Sequence, residues 1–355
     1  MRNPGKHKGR GACSSPAPRF RSVRHEAVDD GWWQDEAPAP QTVVMPDPAR
    51  TVISRNQSPD VPFDRSINPY RGCEHGCIYC FARPSHAYLD LSPGLDFETR
   101  LFAKLEAADR LKEELARPSY RCAPIVLGAN TDAYQPVEKD YRISRGILEV
   151  LAECRHPVSI LTKSGLILRD LDILVPMARR GLVNVMVSVT TLDSELKRRL
   201  EPRTPSGERR LAVVRRLNKA GVPTGVLLAP VIPAINDPEL ETIVAESAAA
   251  GAICVGSVIL RLPHELSQLF REWLQAHYPD RAGRVMKILQ SMRGGRDNDS
   301  DFGRRMRGQG PFAELIARRM QLARRRAGLY RREQVSMDCG QFRHPEVSDG
   351  QISLL

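Results

Sequence analysis

Leu182-Val183-Asn184-Val185-Met186-Val187-Ser188-Val189-Thr190-Thr191 and, further on, Gly221-Val222-Pro223-Thr224-Gly225-Val226-Leu227-Leu228 set the architecture of this chain. Both runs are short, apolar and β-branched, as strands buried on both faces are. Between them, Gly207–Ala220 has helical spacing, and Gly221 stands where a helix-ending glycine belongs. Gly181 and Gly251 hold the same place before Val183–Val189 and Ile253–Ile259. Working outward, strands are expected at Pro124–Leu127, Val158–Leu161 and Thr224–Leu228. Helices are expected at Phe97–Ala116, Ser144–Glu153, Arg169–Arg179 and Glu239–Ala250. Asp237-Pro238 is expected to open the last helix, with Asp237 as its cap. Such alternation requires a parallel sheet, either doubly wound or a partial barrel. Both architectures bind ligands at the C-terminal ends of their strands. Those ends carry Gly128-Ala129-Asn130-Thr131-Asp132, Thr162-Lys163-Ser164, Ser188-Val189-Thr190-Thr191 and Ala229-Pro230-Val231-Ile232-Pro233.

The chain has 355 residues, 41% of them hydrophobic, enough for a large core. Its longest apolar stretch, Val222 to Ile235, is interrupted by three prolines and is too short to span a bilayer. The basic N-terminus has no apolar run behind it, so it does not read as a secretory signal. The chain is therefore expected in the reducing cytosol, where its eight cysteines serve as ligands or core residues rather than as a disulfide framework. Residues 1–60 are expected to be largely disordered, with Trp32 and Trp33 docking on the core. Residues 61–260 form the alternating domain, 261–332 a basic helical region, and 333–355 a flexible tail. The net charge is +11, and from Arg261 to Arg332 there are 17 basic residues against 7 acidic ones. Such an excess suits nucleic-acid phosphates and equally a solvated helix surface.

Arg71-Gly72-Cys73-Glu74-His75-Gly76-Cys77-Ile78-Tyr79-Cys80 packs three thiols into eight residues. Thiolates suit iron–sulfur clusters or zinc. A zinc site would add His75 or His86 to Cys73, Cys77 and Cys80, although zinc ligands more often come as two separated pairs. Cys122, Cys154 and Cys254 read as core residues.

The Cys-x3-Cys-x2-Cys spacing, with Tyr79 before the last cysteine, resembles the signature of the radical S-adenosylmethionine (SAM) superfamily. Asn68-Pro69-Tyr70-Arg71-Gly72-Cys73, the run from Gly128 to Glu138, Thr162-Lys163-Ser164, Arg169-Asp170, Ser188-Val189-Thr190-Thr191 and Glu201-Pro202-Arg203 extend the likeness to the spore photoproduct lyase-related branch. The resemblance implies an α/β fold, a partial (β/α)6 TIM-like barrel with a C-terminal helical extension. It implies a [4Fe-4S] cluster on Cys73, Cys77 and Cys80, whose open iron chelates S-adenosylmethionine. It implies SAM contacts from Tyr79, Asn130, Thr131, Asp132, Lys163, Ser188 and Arg203, with Ala229 to Ile235 as a wall beside the adenine. The implied activity is reductive cleavage of SAM to a 5′-deoxyadenosyl radical that takes hydrogen from a substrate. A flavodoxin- or ferredoxin-like electron donor would be a partner, and the basic region raises nucleic acid as another. Spore photoproduct lyases carry a cysteine hydrogen donor just ahead of this polar strand end. The matching position here is Ala129. Thymine-dimer reversal by that route is therefore not expected. A zinc or iron–sulfur nucleic-acid-binding protein without turnover is the alternative.

Overall fold

A computed structural model describes residues 9–21, 41–329 and 337–346. Its strands are β1 (Val43–Pro46), β2 (Ile53–Arg55), β3 (Arg65–Ile67), β4 (Tyr70–Arg71), β5 (Arg100–Ala103), β6 (Ile125–Leu127), β7 (Val158–Thr162), β8 (Val183–Ser188), β9 (Thr224–Val231) and β10 (Val255–Ile259). The main sheet has the order β10-β9-β8-β7-β6-β3-β2. Six of its strands, β3 and β6 to β10, run parallel, and β2 is antiparallel at the edge. Helices Ile143–Glu153, Leu171–Arg179, Gly207–Lys219 and Leu240–Ala249 connect successive strands. This is the open (β/α)6 arrangement.

The five strands read from sequence are all present. Gly181, Gly221 and Gly251 adopt φ of 69°, 84° and 86°, so each ends its helix in the left-handed region. The first parallel strand is β3, which is short and begins on Arg65. The cysteine loop therefore follows the C-terminal end of a sheet strand, at the mouth where ligands sit.

Other expectations need correction. Phe97–Ala116 is not one helix. Asp96–Thr99 makes a single turn, β5 follows, and the helix proper is Ala107–Ala116. The strand forms because β1 and β4 flank it, and β1 is distant in sequence. Asp237 lies in a 3-10 turn, where its carboxylate accepts from the Ala234 backbone N–H at 2.6 Å rather than from the following helix.

Part of the first 60 residues is ordered. Besides β1 and β2, residues 9–21 lie as a strap behind the cysteine loop. The backbone N–H groups of Gly11 and Ala12 donate to Glu98 at 3.0 and 2.9 Å, and Arg19 pairs with Glu265 at 2.9 Å. Part of the tail is also docked. Phe342 packs against Tyr120 and His156, and the Arg343 N–H donates to the Cys154 carbonyl oxygen. Burial of an aromatic ring offsets the ordering entropy in a segment that composition alone reads as coil. Trp32 and Trp33 lie outside the described residues.

The basic region forms helices Leu266–His277, Pro279–Ser291 and Gly310–Arg326. These share one apolar core with the barrel, anchored by the fully buried Trp273, whose indole N–H donates to the Arg199 carbonyl oxygen at 2.9 Å. The turns before the last helix touch both sides of the open sheet. Ile259 of edge strand β10 donates to the Met306 carbonyl oxygen, and Arg305 reaches Asp60 in the β2–β3 connection. Among the described residues no helix is long and apolar enough to cross a membrane.

A methyl group on Gly11 would lie 1.9 Å from the Gly76 carbonyl oxygen. Gly11→Ala should therefore lift the strap and cost ~1–3 kcal/mol, as overpacking does. Thermal denaturation should show a lower midpoint, and trypsin should cut faster after Arg19 and Arg21. An unchanged midpoint would show that the strap is not held there.

Candidate active site

The cysteine loop is irregular backbone wrapped around one buried cation. The Arg83 guanidinium, wholly buried, donates to the carbonyl oxygens of Gly76, Cys77, Pro93 and Gly94 and pairs with Glu98. Gly72 and Gly76 have φ of 78° and 66°, and a Cβ on Gly76 would strike the Glu98 carboxylate. From the other side, Gln135 accepts from the Glu74 N–H at 2.8 Å and donates to the Gly72 carbonyl oxygen at 3.2 Å. Cys73 and Cys77 are buried and Cys80 is half-buried. Burial pushes the Cys77 thiol up to about 12, with Glu201 and Cys80 adding to the rise and Lys163 opposing it. Burial, Asp132 and the neighbouring thiols Cys77 and Cys80 also raise Cys73. The three thiols thus lie close enough to feel one another.

Each of the two histidines has one ring nitrogen against a carbonyl oxygen. His75 donates through Nδ1 to the Arg203 carbonyl oxygen at 3.2 Å, and its Nε2 stands 3.2 Å from Asp132. The Nε2 of His86 faces the Arg100 carbonyl oxygen at 2.9 Å. Among the described residues no three His, Cys, Asp or Glu side chains converge to hold one metal ion.

The strand-end residues divide into two groups. Asp132, Thr131 and Arg203 are engaged by the protein itself. Asp132 accepts from the Tyr134 N–H, the Thr162 hydroxyl and the Lys163 N–H at 2.7–2.9 Å. Burial would raise its pKa, but His75, Thr162 and Lys163 pull it well below the usual carboxylate range. The Thr131 hydroxyl donates to the Tyr70 carbonyl oxygen at 2.7 Å, and Arg203 pairs with Glu74 at 2.8 Å. The Asn130 backbone N–H is held by Asn68 at 2.8 Å, while its side chain is exposed.

Lys163 and Ser188 form the second group. Thr162 of β7 stands opposite Val187 of β8, so Lys163 and Ser188 follow side by side at adjacent strand ends. The Ser188 hydroxyl is buried and has no hydrogen-bond partner. The Lys163 ammonium lies 6.0 Å from the centre of the Tyr79 ring. Burial would lower its pKa, but Cys77, Glu201 and Asp132 outweigh that and hold it above the ordinary lysine value. A buried hydroxyl without an acceptor is costly.

Beneath them lies a network that sequence reading missed. Tyr79 donates to Glu201, which also pairs with the wholly buried Arg210. Arg210 donates in turn to the Ser188 carbonyl oxygen at 3.0 Å and to Thr204. Despite its burial, Glu201 is held at about 2, chiefly by Arg210 and Lys163. Glu201 stood in a recognised motif, but nothing local marked Arg210 as its partner. At the next strand end, Asn236 donates to the carbonyl oxygens of Thr190 and Pro230 at 2.8 and 2.9 Å, fixing the wall from Ala229 to Ile235.

Several arginines of the basic region are engaged internally. Arg271 pairs with Asp297, Arg304 with Asp299 and Asp301, Arg305 with Asp60, and Arg319 with Glu241 and Asp237. The charge excess therefore overstates the surface offered to phosphates.

This assembly has a family. Residues 67–246 match the radical SAM superfamily. The chain belongs to that superfamily and is an enzyme of its class, which uses an iron–sulfur cluster and SAM and needs a reductant. It is 40% identical over 232 residues to an uncharacterized protein of Mycobacterium tuberculosis, covering 65% of this chain and 68% of that one. It is 28% identical over 214 residues to an uncharacterized protein of Methanocaldococcus jannaschii, covering 60% and 76%. Among solved structures, spore photoproduct lyase complexed with dinucleoside spore photoproduct superposes with a TM-score of 0.56 over 81% of this chain and 80% of that one, at 14% identity. A mutant of that lyase with bound AdoMet gives the same score and coverage. The likeness to the lyase is one of fold.

Removing Arg210 leaves buried Glu201 without its ion-pair partner, which should cost ~3–5 kcal/mol. Urea denaturation of Arg210→Ala measures it. Because the folded pKa of Glu201 lies below its usual 4.5, the loss should be full above that pH and shrink as pH falls toward 2. A loss independent of pH would contradict this assignment.

Proposed function

We propose that Cys73, Cys77 and Cys80 hold a [4Fe-4S] cluster and that Lys163 and Ser188 hold the carboxylate of S-adenosylmethionine beside it. When bound, the cluster and SAM supply the one-electron cleavage of a carbon–sulfur bond that delivers a 5′-deoxyadenosyl radical to the substrate. The observation that carries the reading is the buried, unpartnered Ser188 hydroxyl on β8, with Lys163 one residue past the end of the neighbouring strand β7. A carboxylate satisfies both donors, and such bonds are strong away from water.

The other residues position rather than bind. Asp132 fixes the Lys163 backbone, Arg210 fixes the Ser188 backbone, and Glu201 holds the Tyr79 hydroxyl. The Asn130 and Tyr79 side chains and the wall from Ala229 to Ile235 would border the nucleoside and exclude water. Thr131, Asp132 and Arg203 act by shaping the site. A flavodoxin- or ferredoxin-like protein would supply the electron. The position matching the lyase hydrogen donor is Ala129, and Cys122 precedes β6 at the opposite end of that strand, so the reaction is not thymine-dimer reversal by a thiol.

Anaerobically reconstituted protein with dithionite and SAM should release 5′-deoxyadenosine, detected by chromatography. Cys80→Ala should release none. Lys163→Ala and Ser188→Ala should weaken SAM binding about tenfold or more, as loss of a bond to a charged group does. Release equal to that of Cys80→Ala would defeat the proposal.

A further inference from the structure

Past the end of the last parallel strand, Arg261 has no ion-pair partner among the described residues. It follows β10 by two residues, and its guanidinium lies over the Phe81 ring, 5.6 Å from the centroid. Phe81 directly follows Cys80 and is 45% exposed. The contact therefore joins the loop after the first parallel strand to the end of the last one. The Nε of Arg261 is buried without a hydrogen-bond partner, and its Nη1 reaches only the Met306 sulfur at 3.7 Å. A guanidinium carries five N–H donors, and among the described residues none of these meets a carboxylate or carbonyl oxygen. Arg293 and Arg305 lie nearby. Arg293 is occupied by the carbonyl oxygens of Leu260, Arg304 and Arg305, and Arg305 by Asp60. Burial and these two cations pull the Arg261 pKa down to about 10, only partly opposed by Asp60, which is itself paired with Arg305.

We infer that Arg261, backed by Phe81, is the substrate-recognition residue of this enzyme and receives a phosphate group carried by the substrate. The fork of a guanidinium fits phosphate oxygens in pairs, and a phosphate supplies the acceptors that the fold leaves out. The exposed part of the Phe81 ring offers an apolar surface to whatever adjoins that group. The other exposed arginines of the helical region are side chains on a solvated surface. Arg261 differs from them in being half-buried, unpaired and beside the cysteine loop. That the phosphate belongs to the substrate rests on the function proposed above; that Arg261 binds it does not.

Two ligands distinguish the phosphate's source. Reconstituted protein is titrated calorimetrically with inorganic pyrophosphate, standing for a small phosphorylated compound, and with a single-stranded oligonucleotide, standing for a strand. At least one should bind at low salt, and its affinity should fall as salt rises. Arg261→Ala should weaken that binding about tenfold or more. Arg261→Lys should recover part of it, and Arg318→Ala, on an exposed side chain, should not change it. Phe81→Ala serves as a second probe if Arg261→Ala fails to fold by circular dichroism, and should weaken binding several-fold. Oligonucleotide binding alone assigns a strand, and pyrophosphate binding alone a small phosphorylated substrate. Binding of neither ligand, or equal binding by wild type and Arg261→Ala, overturns the inference. Release of 5′-deoxyadenosine is measured on the same wild-type sample. If it fails while Arg261-dependent binding persists, the proposed chemistry is wrong and the phosphate site stands.

Discussion

A loop that offers three thiols to a metal cluster cannot also be regular secondary structure, so its carbonyl groups need partners from elsewhere. Here one side chain takes up two of them and ties the loop to the Pro93-Gly94 turn. Arg83 is buried with its donors spread over four carbonyl oxygens and Glu98. An unpaired buried guanidinium would be prohibitive, and a fully paired one specifies a single geometry. Everything around the thiols follows from that grip. Gly76 has no room for a side chain, Glu98 is completed by the strap's backbone, and Gln135 closes the loop from the barrel side.

The same device recurs twice. Arg210 holds the end of β8 and the turn before the next helix through the carbonyl oxygens of Ser188 and Pro205. Arg293 holds the end of β10 and the segment spanning the open side of the sheet through Leu260, Arg304 and Arg305. All three arginines are almost wholly buried. Each organises irregular backbone at the rim of the barrel. In the function proposed above, these arginines are the scaffold and Lys163 and Ser188 the binding surface.

Much of this was legible in the sequence, for identifiable reasons. The strands from β6 to β10 are apolar runs bounded by glycines, and period and punctuation are local signals. The cysteine spacing is local too. What was illegible depends on distant partners. β3 is three residues long and begins with a charge, and only its neighbours β2 and β6 make it a strand. β5 hides inside a helical pattern because its partner β1 lies in a segment whose composition reads as coil. The resemblance implied SAM contacts from Asp132 and Thr131. That these side chains also hydrogen-bond to Lys163, Thr162 and Tyr70 is a fact of three dimensions. Arg293, counted within the basic surface region, proved to be part of the interior frame, which no composition could reveal.

The central claim is that the three thiols belong to a cluster and not to a single ion. Iron, acid-labile sulfide and zinc counted on the anaerobically purified, reconstituted protein test it most directly. The account predicts about four irons and four sulfides per chain, with both falling away when Cys73, Cys77 and Cys80 are replaced together. One zinc per chain with no sulfide would contradict it.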